Sequence, residues 1–235
     1  LISGHIAGAA FDVFKSEPAI ENPLFGLANV VCTPHLGAAT TEAQENVALQ
    51  VAEQMSDYLL TGAVTNALNM PSVTAEEAKV MGPWVTLATH LGGFIGQMTD
   101  EPITAINILY DGTVSKMNLE ALNCAAVAGI MKKANPDVNM VSAPMIAKDR
   151  GIKISTTSQD KAGTFDGYIK VTVVTAQRER SVAGTVFSNG KPRFIQIKGI
   201  NIDAEIGAHM LYTTNKDVPG IIGTLGQMMG ENGVN

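Results

Sequence analysis

Ile169-Lys-Val-Thr-Val173 and Phe194-Ile-Gln-Ile197 alternate in polarity, and the turn signal Ser188-Asn-Gly-Lys191 lies between them. A period of two is the mark of strands with one buried face, and Asn-Gly supplies the positive φ angles of a tight connection. Residues 152–205 therefore read as an antiparallel sheet. Helical patterns come just before it. Thr74-x-x-Glu77 is a capping box, and Pro83 suits the first turn of a helix running through Leu87, Leu91 and Phe94. Thr104 to Tyr110 reads as a strand, Asn118 to Lys133 as a helix and Val141 to Asp149 as a shorter one. Residues 73–206 are thus expected to form one α+β unit.

Toward the amino end the pattern changes to α/β. Asn29-Val-Val-Cys32 is a short apolar run ended by Thr33-Pro34, as in a buried parallel strand entering a loop. Ile6 to Phe14 is strand-like, with Pro18 and Pro23 punctuating the loop that follows. Thr41-x-x-Gln44 opens a helix with Val47, Ala48, Val51 and Met55 on one face, and Gly62 supplies its stop. Asn66 to Pro71 reads as an extended linker, closing a unit at 1–72. Toward the carboxyl end, a strand His209 to Thr213, the turn Asp217-Val-Pro-Gly220 and a helix from Ile221 to Met229 begin a third unit at 207–235. The chain opens on Leu1 and stops at Gly233-Val-Asn235, and neither end is polar and unpatterned. We expect a fragment cut at both ends.

The 235 residues are a prior of one and a half to two domains, and 46% hydrophobic with 16% charged residues is enough apolar material for a sizeable core. A net charge of −6 argues against a nucleic-acid or acidic-membrane surface, which needs clustered Lys and Arg. Cys32 and Cys124 sit at no metal-ligand spacing and suit a reducing, cytoplasmic setting better than a disulfide framework. No apolar run approaches the ~20 residues that span a bilayer, and no signal segment is present.

Of the four histidines only His35 carries an argument for chemistry. It follows a strand end and Pro34, where open α/β sheets place ligands, and the small residues Gly37-Ala-Ala39 would let a flat ring approach the backbone. Glu17 stands 18 residues upstream in the loop after the neighbouring strand-like segment. A carboxylate on the far imidazole nitrogen fixes the tautomer and raises the pKa above ~6.5, which suits a general acid/base. With Asp12 on an adjacent strand end, the residues by themselves suit a structural and a catalytic role equally well. His90 reads as a packed histidine, and Met228 and Met229 as core. Gly220-x-x-Gly223-x-x-Gly226 has the spacing of one helix face, so close packing is preferred to phosphate binding.

Ala9-Ala-Phe-Asp-Val-Phe14, Glu17-Pro18, Asn22-Pro-Leu24 and Thr33-Pro-His-Leu-Gly-Ala-Ala-Thr40, in that order and spacing, resemble the end of the nucleotide-binding domain of the D-2-hydroxyacid dehydrogenases. Within that family the chain is most similar to the long phosphoglycerate dehydrogenases, with an intervening allosteric substrate-binding domain and a terminal ACT domain. The resemblance implies the end of a Rossmann-like domain, then an α+β domain, then the start of a ferredoxin-like ACT domain. It implies NAD as cofactor and 3-phosphoglycerate as substrate, with His35 as proton acceptor and Glu17 as its carboxylate partner. Asp12 would lie near the nicotinamide, with the Gly37-Ala38 backbone beside its carboxamide. A Gly-rich pyrophosphate loop and a substrate-anchoring arginine are expected upstream of Leu1, so these 235 residues alone are expected to be inactive.

Asn215, Asp217 and Asn235 match the positions that hold an amino-acid effector between paired ACT domains, so L-serine and a homotetramer are implied as partners. A carboxylate for the ammonium and amides for the carboxylate are chemically apt. The middle domain of such proteins holds an anion with basic residues. Arg193 occupies one such position and Glu205 another, while Lys191 and Lys198 read more readily as solvated strand positions. Two rivals remain: another D-2-hydroxyacid dehydrogenase, such as a glycerate or hydroxypyruvate reductase, or a non-enzymatic amino-acid-binding regulator. The regulatory-looking third unit counts against the first, and the Glu17/His35 pair against the second.

Overall fold

The structure, a computed structural model, describes residues 1–235 except Ala162, Asp217 and Asn235. Every buried residue among those described lies between Ala63 and Ile197, so the core belongs to the middle of the chain. It is built on a six-stranded sheet. The strands are β3 (Ile103–Gly112), β4 (Lys153–Gln159), β5 (Gly167–Thr175), β6 (Glu179–Val186), β7 (Pro192–Ile197) and β8 (Ile200–Glu205), in spatial order β4-β3-β5-β6-β7-β8. β3 and β4 run parallel and every other pair is antiparallel, so this mixed sheet is mainly antiparallel, as the alternation at 169–173 and 194–197 predicts.

Two helices supply the apolar cover. α2 (Ala75–Gln97) is opened by the expected capping box, with Thr74 and Glu77 each bonding the other's backbone. Its Leu87, Leu91 and Ile95 are fully buried, and each such side chain contributes ~1.5–3 kcal/mol by leaving water. They join Ile106, Ile108, Ile169 and Val171, at alternating strand positions, in one hydrophobic cluster. Gly184 makes room for the helix: a Cβ there would come within 2.6 Å of Leu87 Cδ1. α3 (Leu119–Met131) packs against α2 through glycines the sequence reading did not single out. A Cβ on Gly96 would lie 2.6 Å from the Ile130 carbonyl oxygen, and on Gly92 or Gly129 it would collide with the carbonyls of Ala126 and Thr89. α4 (Ala143–Asp149) packs beside α3 and leads into β4.

Several expectations need correction. Pro83 does not start a helix but lies inside α2; the amide it lacks leaves only the Lys79 carbonyl without its helical donor, and Lys79 is exposed to water. Residues 66–71 are not an extended linker, because Val64 and Val73 pair across them in a two-bond antiparallel bridge (2.8 and 2.7 Å) and close them into a loop. His209 to Thr213 forms no strand, since the ladder ends at β8 and the segment finds no pairing partner among the described residues. Tyr212 instead stacks edge-on against Phe94, with ring centroids 5.4 Å apart. His90 is exposed rather than packed, being on the side of α2 turned from the Leu87/Leu91 stripe.

Outside the core lie two strands and two helices. β1 (Ala9–Phe11) and β2 (Val30–Cys32) form a two-stranded parallel sheet, with Ala9 opposite Val30 and Phe11 opposite Cys32. β1 is shorter than the strand-like run from 6 to 14. α1 (Thr41–Thr61) is capped by Thr40, one residue before the expected cap, with Thr40 Oγ1 accepting from Ala43 N at 3.1 Å. Gly62 ends it at φ 76°. Its apolar face is exposed, Val47, Val51 and Met55 included. α5 (Ile221–Glu231) follows Gly220 and buries no side chain among the described residues. Met228 is exposed and nothing lies within 4 Å of a Cβ on Gly223 or Gly226, so neither the core assignment nor close glycine packing holds there.

Candidate active site

The parallel pairing of β1 with β2 puts the two strand exits side by side, so that Asp12, Glu17 and His35 converge. His35 Nδ1 lies 2.6 Å from Glu17 Oε2, and Glu17 Oε1 accepts from the Phe14 backbone amide at 2.8 Å. The second bond fixes the carboxylate, and the carboxylate in turn fixes the ring. Nδ1 therefore carries the proton toward Glu17, leaving Nε2 to exchange one with a bound group. The hydrogen bond to Glu17 and then its charge raise the His35 pKa above the ordinary 6.5, while the same hydrogen bond holds Glu17 below the usual carboxylate range.

Asp12 turns the other way. Its Oδ1 accepts from Thr33 Oγ1 at 2.5 Å and from Leu36 N at 2.7 Å, and its Oδ2 accepts from Gly37 N at 2.9 Å. Those bonds, the Thr33 hydroxyl foremost, hold its carboxyl below the usual range. Asp12 and Gly37 are thus brought together, with Ala38 next in the chain and exposed. Thr33 had no assigned role in the sequence reading. Its pairing with Asp12 depends on strand register, which one sequence does not display.

A cleft of about 580 Å³ opens beside the pair, lined by Phe14, Pro18, Phe25, Cys32, Pro34 and the two partners themselves, Glu17 and His35. Phe14 and Phe25 meet edge to face, centroids 5.4 Å apart. Apolar walls around one oriented imidazole–carboxylate pair suit a flat aromatic ring and a small polar reactant. Among the described residues no group of three or more His, Cys, Asp or Glu could hold a metal ion.

Comparison with known proteins gives the family. Residues 1–37 match the family described as the D-isomer specific 2-hydroxyacid dehydrogenase, NAD binding domain. Residues 80–198, just over half of the chain, match the D-3-phosphoglycerate dehydrogenase intervening domain. The chain belongs to the D-3-phosphoglycerate dehydrogenase family. Similar proteins named D-3-phosphoglycerate dehydrogenase include one from Bacillus subtilis, 35% identical over 100% of this chain and 45% of its own length. One from Synechocystis is 36% identical, over 99% of this chain and 42% of its own. One from Methanocaldococcus jannaschii is 33% identical, over 100% and 45%. The chain thus spans a little under half the length of these phosphoglycerate dehydrogenases.

The other candidate residues are placed differently. Asn215 is exposed, and its Nδ2 donates to the Lys216 carbonyl at 3.0 Å. Asp217 and Asn235, the other two positions matched to an effector site from the sequence, lie outside the described residues. In the phosphoglycerate dehydrogenase intervening domain, Arg193 is paired to Asp203 at 2.9 Å and to Glu205 at 3.6 Å, and Lys191 to Glu205 at 2.7 Å. The Arg193 guanidinium also lies 5.1 Å from the centre of the Phe187 ring. Carboxylates of the chain itself therefore occupy these cations. No helix among the described residues is long and apolar enough to cross a membrane.

Proposed function

We propose that the full-length protein oxidises 3-phospho-D-glycerate to 3-phosphohydroxypyruvate with NAD, the committing step of L-serine synthesis. The observation that carries this is the 2.6 Å Glu17–His35 pair at the edge of an apolar cleft, within the segment matching an NAD binding domain. Residues 1–72 would then be the end of a Rossmann-like NAD-binding and catalytic domain, 73–206 the intervening domain and 207–235 the start of an ACT domain. NAD fits the residues present: the cleft offers flat apolar walls, and the exposed backbone at Ala38, next to a Gly37 whose own amide is bonded to Asp12, is open to a carboxamide. When bound, NAD supplies the hydride acceptor for the substrate 2-carbon. The chain's own task is to take the proton from the 2-hydroxyl at His35 Nε2, while Glu17 stabilises the imidazolium that results.

The direction of pH dependence follows from the pair. Oxidation needs neutral His35, so turnover rises with pH through the His35 pKa, which Glu17 holds above 6.5. Glu17→Gln keeps the shape of the side chain and removes its charge, so the rising limb should move down toward 6.5. A profile of kcat against pH checks this, and an unmoved midpoint would remove Glu17 from the role.

We also propose that L-serine, held by Asn215, Asp217 and Asn235 between paired subunits of a cytoplasmic homotetramer, inhibits the enzyme. The support is the residue chemistry and the family resemblance. Asp217→Ala should abolish serine inhibition while leaving uninhibited turnover nearly unchanged. Equal inhibition in the variant would leave Asp217 as a turn residue alone. Because Arg193 and Lys191 are already matched by Asp203 and Glu205, the inhibition should not depend on phosphate.

A further inference from the structure

His35 has φ 60°, in the left-handed region that L side chains rarely adopt. Something has to hold it there, and two separate clamps do. Glu17 holds the ring. The Asp12 carboxylate holds the backbone, bonding Thr33 two residues before His35 and the amides of Leu36 and Gly37 directly after it. Both Asp12 oxygens are thereby used within the protein. The base of this clamp is anchored in the parallel sheet, since Asp12 and Thr33 immediately follow the paired residues Phe11 and Cys32, and Thr33 N donates to the Phe11 carbonyl at 3.0 Å.

We propose that Thr33 and Asp12 are positioning residues for His35: the Thr33 hydroxyl aims the Asp12 carboxylate, and the carboxylate fixes the 35–37 backbone so that the imidazole meets Glu17 and the reacting hydroxyl together. This rests on the role proposed above for His35 as the base. Without the hydroxyl, Asp12 keeps its bonds to the Leu36 and Gly37 amides but loses its side-chain tie to the end of β2, letting the carboxylate and the histidine backbone it holds shift together. Misplacement by ~1 Å is enough to cost ~10²-fold in rate. The loss should fall on kcat, because the geometry matters most as the proton moves. Glu17 and Asp12 are the charged groups bearing on His35, and both survive loss of the hydroxyl. The pH midpoint should accordingly stay in place while the plateau drops.

The test uses the full-length enzyme with NAD and 3-phosphoglycerate. Thr33→Val, which replaces the hydroxyl with a methyl of similar size, and Thr33→Ala, which removes the methyl as well, should each lower kcat about tenfold or more with both KM values within about twofold. Thr33→Ser should restore kcat. The proposal is overturned by unchanged kcat in Thr33→Ala, or by a raised KM for NAD at constant kcat, which would make Asp12 a cofactor contact. Failure of Thr33→Ser to rescue would overturn it equally, since the hydroxyl would not be the operative group. His35→Ala run alongside separates the two ideas. Full turnover in that variant means that His35 is not the base, whereas lost turnover there with none lost in Thr33→Ala removes the positioning role alone.

Discussion

Replacing His35 with alanine in the full-length enzyme should lower turnover by about 10²- to 10⁴-fold, the range for a positioned general base. Nε2 is the one atom of the pair left open to a reactant, because Nδ1 is engaged by Glu17 at 2.6 Å. The cleft offers no substitute. Its other walls are aromatic, proline or aliphatic apart from Cys32 and Thr33, and Thr33 Oγ1 is committed to Asp12. Binding should suffer less than turnover, since the apolar walls that would hold a ring remain. Steady-state kinetics with 3-phosphoglycerate and NAD is the measurement. Turnover within a few-fold of wild type would make His35 a structural residue, and the solvent-exposed Glu17–His35 pair would then need another explanation.

The second large effect concerns stability. Gly129→Val should destabilise the middle domain by ~3 kcal/mol or more, at the upper end of the range for overpacking. α2 and α3 approach so closely that a Cβ at 129 would overlap the Thr89 carbonyl and lie 2.8 Å from Gly93 N and 3.1 Å from Gly92 C. All three are backbone atoms of a helix, which cannot swing aside as a side-chain tip can. The helices would have to separate, opening contacts of Leu122, Ala125, Ala126 and Ile130 with α2 and the sheet, all buried in the shared cluster. At ~2–4 °C per kcal/mol for a chain of this size, the transition should fall by roughly 6–12 °C. Trp84 is the chain's single tryptophan and sits 7% exposed on α2, so its fluorescence reports the separation directly. An unchanged melting temperature would show that the helix pair tolerates a wider spacing than this packing implies.

Much of the local structure was readable because it depends on near neighbours in the chain. The Thr74/Glu77 capping box, the Gly62 stop and the alternation in β5 and β7 are all read within a few residues, and each stands where expected. Errors came where local signals compete or need a partner. Pro83 carries a first-turn signal, but the capping box that opens at Thr74, nine residues earlier, and the buried stripe through Met81 and Trp84 keep one helix running across it. His209 to Thr213 has strand-like composition, yet a strand exists only when another supplies its hydrogen bonds.

The candidate site divides the same way. Residue types and spacing brought His35 and Glu17 forward while leaving a structural and a catalytic role equally open, and the family resemblance implied the catalytic one. The pairing distance, the open face at Nε2 and the second clamp through Thr33 and Asp12 came only from the register of β1 against β2, which sets residues about 20 apart side by side. The three close glycines of α2 and α3 were missed for a similar reason. A glycine in one helix shows its purpose only when another backbone lies against it. Sequence by itself determined the capped helices, the alternating strands and the residue types present near the strand ends, since propensity, capping and chemistry are properties of short segments. Tertiary structure decided register, helix spacing and the conformation of His35, because each depends on distances between segments far apart along the chain.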